Sequence, residues 1–276
     1  MTLNEKTNTY TTNYNELSIQ VSLSGLSFCV LDELSKTIYA YENHSFGEKV
    51  TPKALLRNTE ALFTEKEILQ QPFKKVHVIH RNNLSAWVPR PLFDEKKLSE
   101  YLKFNIRIFE TDFVTYDDPD ISGLINVYVP LVNINNFIFD RFGEFEYRHY
   151  SSILVETLIR HSPENGEPLM YVHKQDTHFE IVILKNRRLL LYNSFEYGNE
   201  IDFIYYILFT AEQSGLDPET FPLYLLGDIT PEDTFFNMAH TYVRKVSCGQ
   251  HHCPYKLDDG ILPVKSHESP VLLNSF

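Results

Sequence analysis

The sequence predicts a mixed α/β protein in which one unit, three short strands followed by a long helix and a further strand, occurs twice. The clearest copy spans residues 169–228. Three short segments there suit strands, a longer run carries apolar residues at helical spacing, and a fourth short apolar run follows. A fainter copy of the same order begins near Leu17, offset by about 150 residues along its length, as an internal repeat requires. Composition agrees with large buried faces: 43% of the 276 residues are hydrophobic and 14% are aromatic, with 20 Phe and 17 Tyr.

Residues 1–16 are rich in Thr and Asn without periodicity and are expected to be a flexible tail. The first unit is expected over 17–162. Leu17, Ile19, Val21 and Leu23 alternate with polar residues, the period of a strand with one buried face. Ser24-Gly25 and residues 32–36 supply turns to strands at 27–31 and 37–41, which makes an antiparallel meander. Thr51-Pro52 opens a helix, with Thr as cap and Pro where its missing N–H costs nothing. A buried strand follows at 76–79, an extended Pro-punctuated run at 87–91 and a helix at 93–103. Asp117, Asp118 and Asp120 surround Pro119 in a predicted turn. Beyond it lie a strand at 125–129, a helix at 132–142 ended by Gly143, a strand at 145–150 and a helix at 153–160.

The segment 162–168, dense in turn formers, separates this unit from a second expected over 163–253. Its strands fall at 170–174, 179–184, 188–192 and 223–226. Asn199 caps the long helix, which carries Ile201, Tyr205, Leu208 and Phe209 on one side. Thr230-Pro231-Glu232-Asp233 resembles a capping box and predicts a helix from there to about Val243. Residues 254–276 read as a C-terminal tail.

A three-stranded meander followed by alternating helices and strands is the ribonuclease-H-like unit. Two of them in one chain predict the actin-like arrangement of sugar kinases, Hsp70-type chaperones and bacterial assembly proteins; fold alone does not carry function. The segments 17–33, 177–209 and 222–229 also resemble a bacterial family catalogued as domain of unknown function 3822. That resemblance covers most of the chain and implies an actin-like ATPase fold without a demonstrated activity.

Actin-like enzymes hold phosphates in the hairpin turns of each unit, where Gly admits backbone N–H groups and an Asp acts through magnesium. The first turn, Ser22 to Ser27, has Gly25 but no Asp. The second, His173 to His178, has Asp176 and Thr177 but no Gly. Leu226-Gly227-Asp228 lies at the carboxyl end of a strand, where open α/β sheets bind ligands. Lys174, Asp176, Thr177, Gly227 and Asp228 are therefore the candidate nucleotide residues, with ATP and magnesium as the ligand. Because neither turn is complete, no catalytic residue is assigned and no cofactor is expected. The favoured reading is a non-hydrolysing scaffold or adaptor for a protein partner, against an ATPase or phosphotransferase.

A net charge of −12 opposes nucleic-acid binding. Neither an apolar run of membrane-spanning length nor a secretory signal is present in the sequence. Three scattered cysteines suit a reducing cytoplasm. Cys248, His251, His252 and Cys253 gather zinc-ligand types, and His267 could join them in a zinc-stabilised interaction module, but close Cys-x4-Cys spacing alone is weak. Cys29 is expected to be an inert core thiol, and one of His77 and His80 a core histidine.

Overall fold

The computed structural model describes residues 14–103, 106–119, 123–164, 166–175, 178–227, 229–249, 253–261 and 271–276. The meander forms as β1 (Asn15–Ser22), β2 (Gly25–Asp32) and β3 (Thr37–Ser45), with Leu17, Ile19 and Val21 buried as their alternation requires. Helix α1 (Pro52–Glu65) starts where Thr51 Oγ1 accepts a hydrogen bond from Ala54 N and Pro52 takes the first helical position. Strand β4 (Lys75–His80) then runs parallel to β1.

An insertion interrupts the unit here. Strand β5 (Ser85–Pro89), helix α2 (Leu98–Lys103), β6 (Thr115–Asp117) and β7 (Leu124–Tyr128) build a separate three-stranded antiparallel sheet ordered β5-β7-β6. The predicted helix at 93–103 divides: Glu95–Lys97 is a 3-10 turn capped by Asp94, and only the remainder is α-helical. The predicted Asp turn begins inside a strand, because pairing with β7 and burial of its carboxylate hold Asp117 in β6. Asp118 pairs with Arg90, and Asp120 lies outside the described residues.

The unit resumes with α3 (Val132–Phe142), β8 (Glu146–His149) and α4 (Tyr150–His161). Helix α4 begins three residues before its predicted start, because the His149 side chain caps it by accepting from Ser151 N. The second unit comprises β9 (Leu169–Lys174), β10 (His178–Lys185), β11 (Arg188–Glu196), α5 (Glu200–Gln213), β12 (Pro222–Gly227), α6 (Thr234–Tyr242) and β13 (Lys245–Cys248). Asn186 and Arg187 take positive φ in the β10–β11 turn, the twist a two-residue hairpin needs. Helix α6 starts after Thr230-Pro231, at Thr234, because the Asp233 carboxylate accepts from Phe235 N and residues 230–233 close a turn of their own.

The large sheets share one order: β3-β2-β1-β4-β8 in the first and β11-β10-β9-β12-β13 in the second, each with an antiparallel meander beside parallel strands. The pattern beyond Pro254 is weak, yet β14 (Lys256–Leu257) extends the first sheet alongside β3. Val271, Leu272 and Leu273 are buried as well.

Helix α4 lies between the units. Every residue from Tyr150 to Ile159 except Glu156 is buried, the mark of a helix packed on more than one side. Its Ile153, Leu154 and Leu158 join Cys29 and Ile79 of the first sheet, Val182 and Leu226 of the second, and Leu272 in one core cluster. Burial pushes the Cys29 thiol well up, which keeps it inert.

Candidate functional site

Strand pairing aligns several chain turns at one end of the two sheets. A cavity of about 100 Å³ is lined there by Ser22 and Ser24 of the β1–β2 turn, Arg81 and Asn82 after β4, His178 at the start of β10 and Glu196 at the end of β11. A more open one of about 590 Å³ adjoins it, lined among others by Lys49, Glu196, Asp202 and Tyr206. Lys49 Nζ stands 3.1 Å from Glu196 Oε1, an exposed ion pair joining the β3–α1 loop to the second sheet.

The first hairpin turn uses its polar groups internally. Ser22 Oγ accepts from Ser24 N at 3.2 Å and reaches Gly25 O at 3.2 Å, while Ser24 O accepts from Phe46 N at 2.8 Å. Gly25 is required by packing, since a Cβ there would stand 2.7 Å from His44 O. Gly227 is required more strictly: its φ is +83° and a Cβ would meet Lys174 O at 2.0 Å. Of the five nucleotide candidates, the structure describes Lys174 and Gly227 and makes them partners across β9 and β12. The Lys174 ammonium lies over the rings of Phe235 and Tyr197, with centroids at 4.7 and 5.8 Å. Asp176, Thr177 and Asp228 lie outside the described residues, as do His251, His252 and His267 of the zinc-type cluster. Cys253 Sγ donates to Leu273 O at 3.7 Å.

Behind the cavity sits a buried polar cluster that sequence reading did not assemble. Glu180 Oε2 is 3.1 Å from Tyr150 Oη and 3.2 Å from His173 Nδ1, and its Oε1 is 3.2 Å from His178 Nε2. Burial alone would raise the Glu180 carboxyl, but the hydrogen bonds from His173 and His178 hold it well below the usual carboxylate range. Burial pushes the Tyr150 hydroxyl up, so it remains a donor. The Arg81 guanidinium lies 5.9 Å from the Tyr150 ring centroid, and its buried Nε has no hydrogen-bond partner among the described residues.

A second cluster supports the start of α4 from the inserted sheet. Asp117 accepts from Ser152 Oγ at 2.5 Å, His149 N at 2.8 Å and Tyr128 Oη at 3.0 Å. Burial nevertheless raises its carboxyl above the ordinary value. His80 is the expected core histidine: Nδ1 accepts from Leu131 N and Nε2 donates to Asn135 Oδ1, which fixes the tautomer. The one sequence signal for the cavity was the Arg81-Asn82-Asn83 turn directly after a buried strand.

A family model described as "Protein of unknown function (DUF3822)" matches residues 4–246. The fold matches a Bacteroides thetaiotaomicron protein with actin-like ATPase fold and unknown function at TM-score 0.75 and 22% identity, covering 95% of this chain and 96% of that one. A type IV pilus biogenesis complex, PilM-PilN, matches at TM-score 0.57 and 11% identity, over 94% and 97% of the respective chains. No curated protein matches the chain in sequence. The actin-like fold expected from the doubled meander pattern is the fold observed. Among the described residues, no helix is long and apolar enough to cross a membrane.

Proposed function

The chain belongs to the DUF3822 family of unknown function, and on its actin-like frame we propose that it acts as a non-hydrolysing cytoplasmic adaptor for a protein partner. One observation carries this reading: the groups that would cradle phosphate in the first turn already serve the turn itself. Ser24 N donates to Ser22 Oγ and Ser22 Oγ to Gly25 O, both within the hairpin, and Gly25 is a packing glycine. Strand pairing accounts for Gly227 in the same way. The cavity carboxylate Glu196 is paired with Lys49, and the buried Glu180 is held by hydrogen bonds from His173 and His178, so both carboxylates are engaged by neighbours. The neighbouring PilM fold was solved as a complex with PilN, which supports this frame as a carrier of protein partners.

Thermal unfolding with and without millimolar Mg-ATP tests the reading. A native-state ligand at 100 times its dissociation constant stabilises by about 2.7 kcal/mol, and the adaptor reading expects no such shift and no phosphate release. A second reading rests on Arg81. Arg81 lines the small cavity and its Nε is an unpartnered donor suited to an anion, and a nucleotide phosphate is the ligand an actin-like cleft would offer it. A Mg-ATP shift that disappears in Arg81→Met would favour that reading over the adaptor.

A further inference from the structure

The outer face of α5 is built unlike that of its counterpart α1. Both helices have 14 residues and follow the meander of their own sheet. Each buries one side: Leu55, Thr59, Leu62 and Phe63 in α1, and Phe203, Ile204, Ile207 and Ala211 in α5. On the opposite side α1 exposes Lys53, Arg57 and Glu60, as a solvated helix should. There α5 exposes Ile201 at 69%, Tyr205 at 57% and Phe209 at 44%. These three stand four residues apart, so they form one apolar stripe about 12 Å long at 1.5 Å per residue. Tyr205 and Phe209 stack with centroids 6.0 Å apart, which holds the stripe as a continuous surface. Three large apolar side chains aligned on one outer helix face mark a place where another surface sits.

The charges around the stripe identify the occupant. Helix α5 carries Glu200 and Asp202 at its start and Glu212 near its end, and it has no Lys or Arg. A second copy packed antiparallel would set Glu212 of one copy against Asp202 of the other. Packed in parallel, it would set like against like along the whole length. Both arrangements are repulsive, in a chain whose net charge is already −12. We propose that the outer face of α5 docks a basic amphipathic helix of a protein partner. Its apolar side covers Ile201, Tyr205 and Phe209, and its Lys or Arg residues meet Asp202 and Glu212. Helix-on-helix recognition through anchors one turn apart is a recurring mode, and opposite rim charges set its orientation and on-rate. This inference rests on the adaptor reading and specifies its partner.

The test uses the full chain and a fluorescent helical peptide with Leu along one side and Lys along the other, beside a counterpart with Glu in place of Lys. Anisotropy is expected to report binding of the Leu/Lys peptide that weakens about tenfold or more in Tyr205→Ser/Phe209→Ser. Glu212→Lys should weaken it several-fold at low salt, with the difference shrinking as salt screens the pair. The Glu-bearing counterpart should bind far more weakly than the Lys peptide. Equal binding of the Lys peptide by wild type and the double variant overturns the proposal, as does equal binding of the two peptides. Sedimentation of the protein alone gives a further route to failure: a dimer lost in the double variant would make a second copy the occupant. Unchanged unfolding midpoints confirm that the variants are folded. An Arg81-dependent Mg-ATP shift would sink the adaptor reading whatever the peptides do, whereas failed peptide binding without such a shift removes only this surface.

Discussion

The two sheets are alike in strand order and unlike in how they are finished. The first accepts β14 along the outer edge of β3, and the inserted sheet leads into α3, β8 and α4. The second has β11 at the corresponding edge, with no further strand on it among the described residues. The ends of the matching parallel strands differ too. Opposite Val21, β4 ends in His80, a residue bonded to the start of α3; opposite Lys174, β12 ends in Gly227. The outer helix faces differ again, charged on α1 and aromatic on α5. Shared topology therefore fixes where strand ends, turns and outer faces lie, and leaves their chemistry to the side chains. The first unit carries an extra edge strand and an inserted sheet, while the second exposes an apolar stripe on α5.

The largest expected effect comes from the strand ends. Gly227→Val forces a Cβ against Lys174 O at positive φ, so a loss of about 4 kcal/mol or more in urea unfolding is expected. Gly25→Ala, where only the contact with His44 O must relax, should cost about 1–2 kcal/mol. Comparable losses at both positions would break the contrast between a packing glycine and a strained one.

The faces of α5 give the next comparison. Phe203→Ala should cost about 3–5 kcal/mol because its ring is fully buried among Phe179, Tyr197 and Phe235. Tyr205→Ser on the exposed side should change stability by less than about 1 kcal/mol. A large loss at Tyr205 would show that the stripe serves the fold rather than a partner.

Acid should distinguish the strand ends a second time. Burial pushes the His80 pKa down to about 4, against about 6.5 in an unfolded chain. Protons then bind the unfolded state more readily, so His80's contribution is complete above pH 6.5 and falls as pH drops toward 4. About 3 kcal/mol is at stake across that window. Unfolding at stepped pH should show a shallower slope there in His80→Gln. The Glu180 contribution lies lower: its folded value is depressed, so stability is lost as pH falls below the unfolded carboxylate value. An unchanged slope in His80→Gln would assign the acid sensitivity of the first unit elsewhere.

The smallest effect is expected at the ion pair joining the units. Lys49 and Glu196 are both more than half exposed, so Lys49→Met should cost less than about 1 kcal/mol, measured as a shift in unfolding midpoint. A larger loss would mean that this pair, rather than the core around α4, holds the units together.

Local pattern carried most of the fold into view. Alternation at Leu17, Ile19 and Val21, the Thr51-Pro52 start and the Asn199 cap each depend on neighbours a few residues away, and each has the expected structure. Strands β6, β13 and β14 were not legible, because short strands take their identity from the partner they pair with. The same reason hid most of the candidate site. Glu180, His173 and Tyr150 lie on β10, β9 and α4 and Arg81 just beyond β4, and nothing in their spacing reports that these elements converge.

By itself the sequence determined the two meanders, the long helices that follow them and the resulting actin-like class, because hydrophobic period and capping act over a few residues. Tertiary structure alone decided the rest. It buried α4 between the sheets, brought the C-terminal segment back onto β3, closed Glu180 in among histidines and left Ile201, Tyr205 and Phe209 facing outward. An apolar residue in a helix reads the same whether it faces a core or a partner, and only packing of the whole chain separates the two.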